Sequence, residues 1–160
     1  MKILVFGARG QLGSEVVLRA RSREHEVVAL SREEVDLLDG QAVAACVQQA
    51  QPDWVINCAA YTQVDRAESE PDLAYAINAL TAKAMAEACA SVRAGLAHVS
   101  TDFVFSGRQA CPYTEADATE PLSVYGQTKL QGEVLAGQAL DKTLIVRTSW
   151  LFGLHGQNFV

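Results

Sequence analysis

The chain opens on KILVF, a short apolar run rich in branched residues, passes at once through GARGQLG, and continues into SEVVLRARSR with a helical pattern. Strand, tight glycine turn and helix in immediate succession leave few folds available. Gly7 permits the turn, Gly10 lets an anion approach the backbone, and Gly13 lets helix and strand pack closely. The amides and dipole at the helix N-terminus then favour a negatively charged group such as a pyrophosphate. The spacing is Gly-x-x-Gly-x-x-Gly, not the Gly-x-Gly-x-x-Gly dinucleotide fingerprint. By itself the cluster also fits a purely structural turn.

Downstream the elements alternate. HEVVAL from His25 to Leu30 reads as a second strand, GQAVAACVQQAQ as a helix ended by Pro52, and DWVINCAA as a third strand running into a loop. PDLAYAINALTAKAMAEACASV has the composition of a long helix, the longest of the chain. GLAHVS is the next strand, PLSVYGQTKLQGEVLAGQ another helix, and KTLIVRTS a further strand. Strands alternating with helices of this length imply a doubly wound α/β fold, a parallel sheet with helices on both faces and right-handed crossovers. Ligands of such sheets bind beyond the carboxyl ends of the strands. Gly10, Gln11, Ala60, Tyr61, Thr62, Ser100, Thr101, Asp102 and Trp150 all fall at or just past predicted strand ends, so one cleft can hold them.

Composition excludes several classes. At 160 residues, 49% hydrophobic and 20% charged, the chain has the makings of one ordinary globular core. A net charge of −6 and the lack of a basic cluster on any binding motif argue against a nucleic-acid surface. RARSREH is the most basic stretch and reads as the solvated end of the first helix. No apolar run approaches the roughly 20 residues of a membrane span, and Met1 leads straight into a strand, which argues against a signal peptide. Cys46, Cys58, Cys89 and Cys111 show neither CxxC nor metal-like spacing. They read as buried reduced thiols of a cytoplasmic protein, with no metal site.

The chemistry centres on YGQTK. Tyr125 and Lys129 are four residues apart on a predicted helix, hence on one face. A neighbouring ammonium favours phenolate and lowers a tyrosine pKa from about 10. Such a tyrosine exchanges a proton with a carbonyl or alcohol near neutral pH. Thr101, just after GLAHVS, is placed to hydrogen-bond a reacting oxygen beside Tyr125, and equally to cap its own loop.

GARGQLG, NCAAYTQVDRAE, STDFVFSG, PLSVYGQTKLQGE and RTSWLFG, in that order, resemble the extended short-chain dehydrogenase/reductases over the whole chain, and within them the dTDP-4-dehydrorhamnose reductases. The resemblance implies a Rossmann domain and reduction of the 4-keto group of dTDP-4-dehydro-β-L-rhamnose by a nicotinamide hydride, giving dTDP-β-L-rhamnose. It implies Tyr125 as the general acid, Lys129 as the residue that lowers its pKa and holds the nicotinamide ribose, and Thr101 as the residue orienting the carbonyl. Gly7, Gly10, Gln11, Leu12 and Gly13 match the pyrophosphate turn; Asp36 and Leu37 the adenine side; and Ala60, Tyr61 and Thr62 the loop beside the cofactor. Asp102 and Trp150 match positions contacting the sugar nucleotide. Asn78 matches a helix asparagine whose role is open between function and structure.

Two departures matter. Where an acidic residue at the end of the second strand usually binds the ribose 2′-hydroxyl, this chain has Ser31 and Arg32. Absence of that carboxylate and presence of the arginine favour NADPH, with NADH as the other choice. Family members also run to about 300 residues, with a C-terminal substrate domain, whereas residues 1–160 correspond to the NAD(P)-binding Rossmann domain. The substrate domain, and any Mg²⁺ or homodimer contacts some relatives make through it, lie outside this sequence. Two other readings stand beside the reductase. One is a non-catalytic NADP-binding subunit like the regulatory subunit of methionine adenosyltransferase, against which Thr101, Tyr125 and Lys129 weigh. The other is a sugar-nucleotide epimerase or dehydratase; Phe103 after Asp102, where a dehydratase would carry an acidic pair, counts against dehydration.

Overall fold

A computed structural model of the chain describes residues 1–153. Five parallel strands, β1 (Lys2–Phe6), β2 (Glu26–Leu30), β3 (Trp54–Asn57), β4 (Gly95–Thr101) and β5 (Thr143–Thr148), form one sheet in the order β2-β1-β3-β4-β5. The chain first winds outward from β1 to β2, then returns past β1 to β3. The switch in direction lies between β1 and β3, where Ile3 to Phe6 pair with Trp54 to Asn57. In open α/β sheets that crevice receives ligands.

Helices cover both faces unequally. Helix α1 (Gln11–Ser22) packs on one face through Val17 and Ala20 against Ile3 and Val5. On the other, α2 (Gly40–Ala50) and two later helices enclose Leu4, Phe6, Val55 and Leu96 in the larger core. Successive β1 side chains thus enter different cores, which is why KILVF is a continuous apolar run. Asp39 caps α2, accepting from the amides of Gln41 and Ala42 at 2.9 and 3.0 Å, and the helix ends on Gln51 in the left-handed region before Pro52.

Between β3 and β4 the chain forms α3 (Val64–Ala67), α4 (Pro71–Tyr75) and α5 (Thr81–Val92). The expected single long helix is therefore divided: residues 76–80 widen into a π-helical turn before α5 begins. The remaining helix, α6 (Val124–Ala139), is capped by Ser123, whose Oγ accepts the Gly126 amide at 3.1 Å, and by Glu68, which accepts the Val124 amide at 2.8 Å. Among the described residues strand β5 is one edge of the sheet, opposite β2, with Leu144 and Val146 exposed. No helix among the described residues is long and apolar enough to cross a membrane.

Candidate functional site

The glycine turn is dictated by close approach. Gly7 has φ 74°, and a Cβ there would stand 2.8 Å from the Ala59 amide nitrogen across the β1/β3 crevice. A Cβ on Gly13 would run into the Gly7 carbonyl. Both positions exclude any larger residue. Gly10 is the N-cap of α1, which has neither a side-chain cap nor an acidic residue in its first turn. Buried Gln11 Nε2 has no partner among the described residues. An uncapped helix end, an unsatisfied amide nitrogen and a backbone stripped of side chains make a cradle that fits a dinucleotide pyrophosphate. An open cavity of about 390 Å³ continues from it, lined by Ala8, Arg9, Ser14, Leu18, Ser31 and Glu34 among others.

The rim beyond β2 departs from expectation. Sequence reading left no carboxylate there, but Glu34 folds back, accepting from the Ser31 amide at 2.7 Å and from the Ser31 hydroxyl. Ser31 Oγ in turn accepts the Glu33 amide at 3.2 Å. This is the reciprocal capping of an S-x-x-E pattern, the signal in SREE that could have revealed it. Hydrogen bonds from Ser31 hold the Glu34 carboxyl below its usual range, with Arg9 adding to the effect. Arg9, not Arg32, is the cation paired here, with Glu33 and Glu34; Arg32 is exposed. Further along, Asp36 accepts the Leu38 amide at 2.9 Å, and Leu37 anchors the loop by accepting Thr81 Oγ1 at 2.7 Å.

The loop past β3 is held by Asn78. Its Oδ1 accepts the Tyr61 amide at 2.8 Å, and its Nδ2 donates to the Tyr61 carbonyl at 3.2 Å and to Thr128 Oγ1 at 3.0 Å. One buried side chain in the π-helical turn thus joins the Ala60–Thr62 loop to α6. The wide turn pushes the Asn78 carbonyl against α6, where only Gly132 admits it. Such bulges often mark functional positions. Tyr61 is pinned by donating to Glu70 at 2.6 Å, and Arg66 donates to the same carboxylate at 2.8 Å.

Beyond β4, Thr101 and Tyr125 meet. Thr101 is buried at the strand end, donates to Asp102 Oδ1 at 3.2 Å and accepts the Phe103 amide at 3.2 Å. It therefore does cap its loop, and its hydroxyl also acts on Tyr125, favouring the phenolate. Phe103 meets the Tyr125 ring edge-on at 5.6 Å. Asp102 Oδ2 accepts Ser149 Oγ at 2.6 Å, tying the β4 and β5 ends together beside Trp150. Trp150 is 77% exposed with φ 51°, a strained backbone for a bulky residue at the rim.

The electrostatics correct one expectation. Burial raises the Tyr125 pKa; the Thr101 hydrogen bond opposes this and the Asp102 charge reinforces it. Lys129 takes no part, because its Nζ is turned inward and donates to the Val99 carbonyl at 2.7 Å. Only 2% of Lys129 is exposed, and burial lowers its pKa to about 8, with Glu133 resisting. That is about 3 kcal/mol against the charged form. Behind α6, His98 Nδ1 lies 3.1 Å from Asn57 Nδ2, and burial followed by the Lys129 charge lowers its pKa to about 3. Its Nε2 has no partner among the described residues. Among the described residues, no group of three or more His, Cys, Asp and Glu side chains is placed to hold a metal ion, so nothing here assigns a site for Mg²⁺. Behind the site Ser100, already placed at the β4 end by the sequence, is joined to Glu133 and Arg147, which were not foreseen; the i, i+4, i+8 spacing of Tyr125, Lys129 and Glu133 hints at Glu133 alone.

Comparison with known proteins places this geometry. The family model described as the RmlD substrate binding domain matches residues 1–160. A dTDP-4-dehydrorhamnose reductase of Sinorhizobium fredii (strain NBRC 101917 / NGR234) is 43% identical over 100% of this chain and 54% of its own length. The crystal structure of a dTDP-4-dehydrorhamnose reductase from Clostridium acetobutylicum superposes with a TM-score of 0.96 at 44% identity, covering 99% of this chain and 56% of that one. One from Bacillus anthracis in complex with NADP gives 0.95 at 39% identity, with the same coverage. The chain thus spans about half the length of the curated relatives it matches. Ordered motifs, parallel sheet and relatives agree: the chain belongs to the RmlD substrate binding domain family.

Proposed function

We propose that this chain is the NAD(P)-binding Rossmann portion, residues 1–160, of a dTDP-4-dehydrorhamnose reductase. The observation that carries the reading is the convergence of Thr101 and Tyr125 at the end of β4 on the same rim as the uncapped N-terminus of α1. A bound nicotinamide would supply hydride to the 4-keto carbon of a dTDP-sugar. Gly10, Gln11 and Leu12 hold the pyrophosphate, Asp36 and Leu37 flank the adenine, and Ala60, Tyr61 and Thr62 line the cofactor's other side. Thr101 orients the carbonyl, and Tyr125 donates its proton to the developing alkoxide. The raised pKa of Tyr125 keeps it a phenol, the form a reduction requires. Lys129 would hold the nicotinamide ribose. Asp102 and Trp150 contact the sugar nucleotide. The complexed state of the Bacillus anthracis relative favours NADPH as one cofactor, while Glu34 at the end of β2 leaves room for NADH.

Titration of the chain with NADPH and NADH, followed by nucleotide fluorescence, tests this. Saturable binding of NADPH is expected, with NADH no more than about ten-fold weaker. No binding of either nucleotide to the folded chain overturns the reading.

A further inference from the structure

Glu133 lies one turn beyond Lys129 and two beyond Tyr125 on α6, and is only 8% exposed. A buried carboxylate is tolerated only with full partners, and it has two, Ser100 and Arg147. Ser100 Oγ donates to Oε1 at 2.5 Å, and Arg147 donates through Nε to Oε1 at 3.0 Å and through Nη2 to Oε2 at 2.6 Å. Arg147 is itself set by Phe105, whose ring lies 5.0 Å beneath the guanidinium. Ser100 immediately precedes Thr101, and its carbonyl accepts Thr148 Oγ1 at 3.1 Å. One side chain therefore joins α6 to β4 and β5 directly behind the Thr101–Tyr125 pair.

The charges around Lys129 give this brace a second consequence. On α6 the Lys129 charge couples to Glu133 and across to His98 of β4, while Arg147 of β5 is ion-paired to Glu133 and Asp102 beyond β4 acts on Tyr125. His98 is held neutral and Arg147 is paired to Glu133. Glu133 is the only one of these groups whose charge acts to keep Lys129 an ammonium. We propose that Glu133 is a positioning residue of the reductase site, holding the charge of Lys129 and fixing the Tyr125 face of α6 against β4 and β5. This rests on the reductase reading and assigns the site a residue that touches neither cofactor nor substrate.

Two variants test it, because they move Lys129 in opposite directions. Glu133→Gln keeps the shape and removes the charge; Arg147→Met frees the Glu133 charge from its competing cation. The Lys129 ¹³Cε shift, assigned with Lys129→Arg, is followed against pH in chain labelled with ¹³C-lysine, alongside NADPH affinity. The midpoint is expected to fall by about one pH unit or more in Glu133→Gln and to rise in Arg147→Met. Affinity of Glu133→Gln for NADPH then drops about three-fold near pH 7.5 and recovers near pH 6, as Lys129 regains its proton. An unmoved midpoint in either folded variant, or an affinity loss equal at every pH, overturns the proposal. Failure of the unaltered chain to bind NADPH sinks the reductase reading instead, and the Lys129 midpoint still decides whether Glu133 holds its charge.

Discussion

The turn from Gly7 to Gly13 and the face of α6 from Tyr125 to Glu133 sit on one rim and are built by opposite means. At the turn, side chains are removed so that the Gly7 carbonyl, Ala59 and the end of α1 approach one another. On α6, side chains are crowded in: a half-buried phenol and a buried ammonium and carboxylate stand one turn apart, and the ammonium and carboxylate are each kept by a specific partner from β4 or β5. The turn offers oriented main-chain donors that carry no titratable proton. The helix face offers a proton whose availability depends on its surroundings. A backbone site should thus be intolerant of volume and insensitive to pH, and a buried-charge site the reverse.

The severest way to break this comparison is Gly13→Val. The added atoms meet the Gly7 carbonyl, which cannot move without displacing β1 or α1, so a loss of about 3 kcal/mol or more is expected. Urea unfolding should show it, with loss of NADPH binding at every pH. A variant with native midpoint and affinity would mean that the turn is not sterically closed.

Tyr125→Phe probes the other region with almost no change in volume. Reduction of a 4-keto sugar nucleotide, read as NADPH consumption by a catalytically competent form, should fall about 10²- to 10⁴-fold, while NADPH affinity stays within a few-fold. A near-normal rate would remove the phenol from the role of acid.

The smallest effect sharpens the comparison at the edge of the turn, where a side chain does intrude. Glu34→Gln removes the charge that Ser31 and Arg9 hold at the end of β2. The NADPH-to-NADH affinity ratio should rise about three- to ten-fold at low salt and less at high salt. An unchanged ratio would place the ribose 2′ position away from Glu34.

Much of the architecture was legible because it is encoded locally. Alternating apolar runs and helical stretches announce a parallel sheet, and the three glycines announce a turn no other residue can make; the strand ends then put Gly10, Tyr61 and Thr101 on one rim. The long helix was misjudged at one point, because Asn78 draws residues 76–80 into a π-helical turn through bonds to Tyr61 and Thr128. Neither partner is near it in sequence.

The sequence by itself determined the order of strands and helices, the closed glycine turn and the i, i+4 placement of Tyr125 and Lys129, since these follow from chain geometry within a few residues. Only the tertiary structure decided that Lys129 turns to Val99 and leaves the Tyr125 pKa raised, that Glu34 supplies a carboxylate beyond β2 with Arg9 as its cation, and that Glu133 is braced by Ser100 and Arg147. Protonation and pairing depend on burial and on charges brought together from separate strands, and those distances exist only after the sheet has closed.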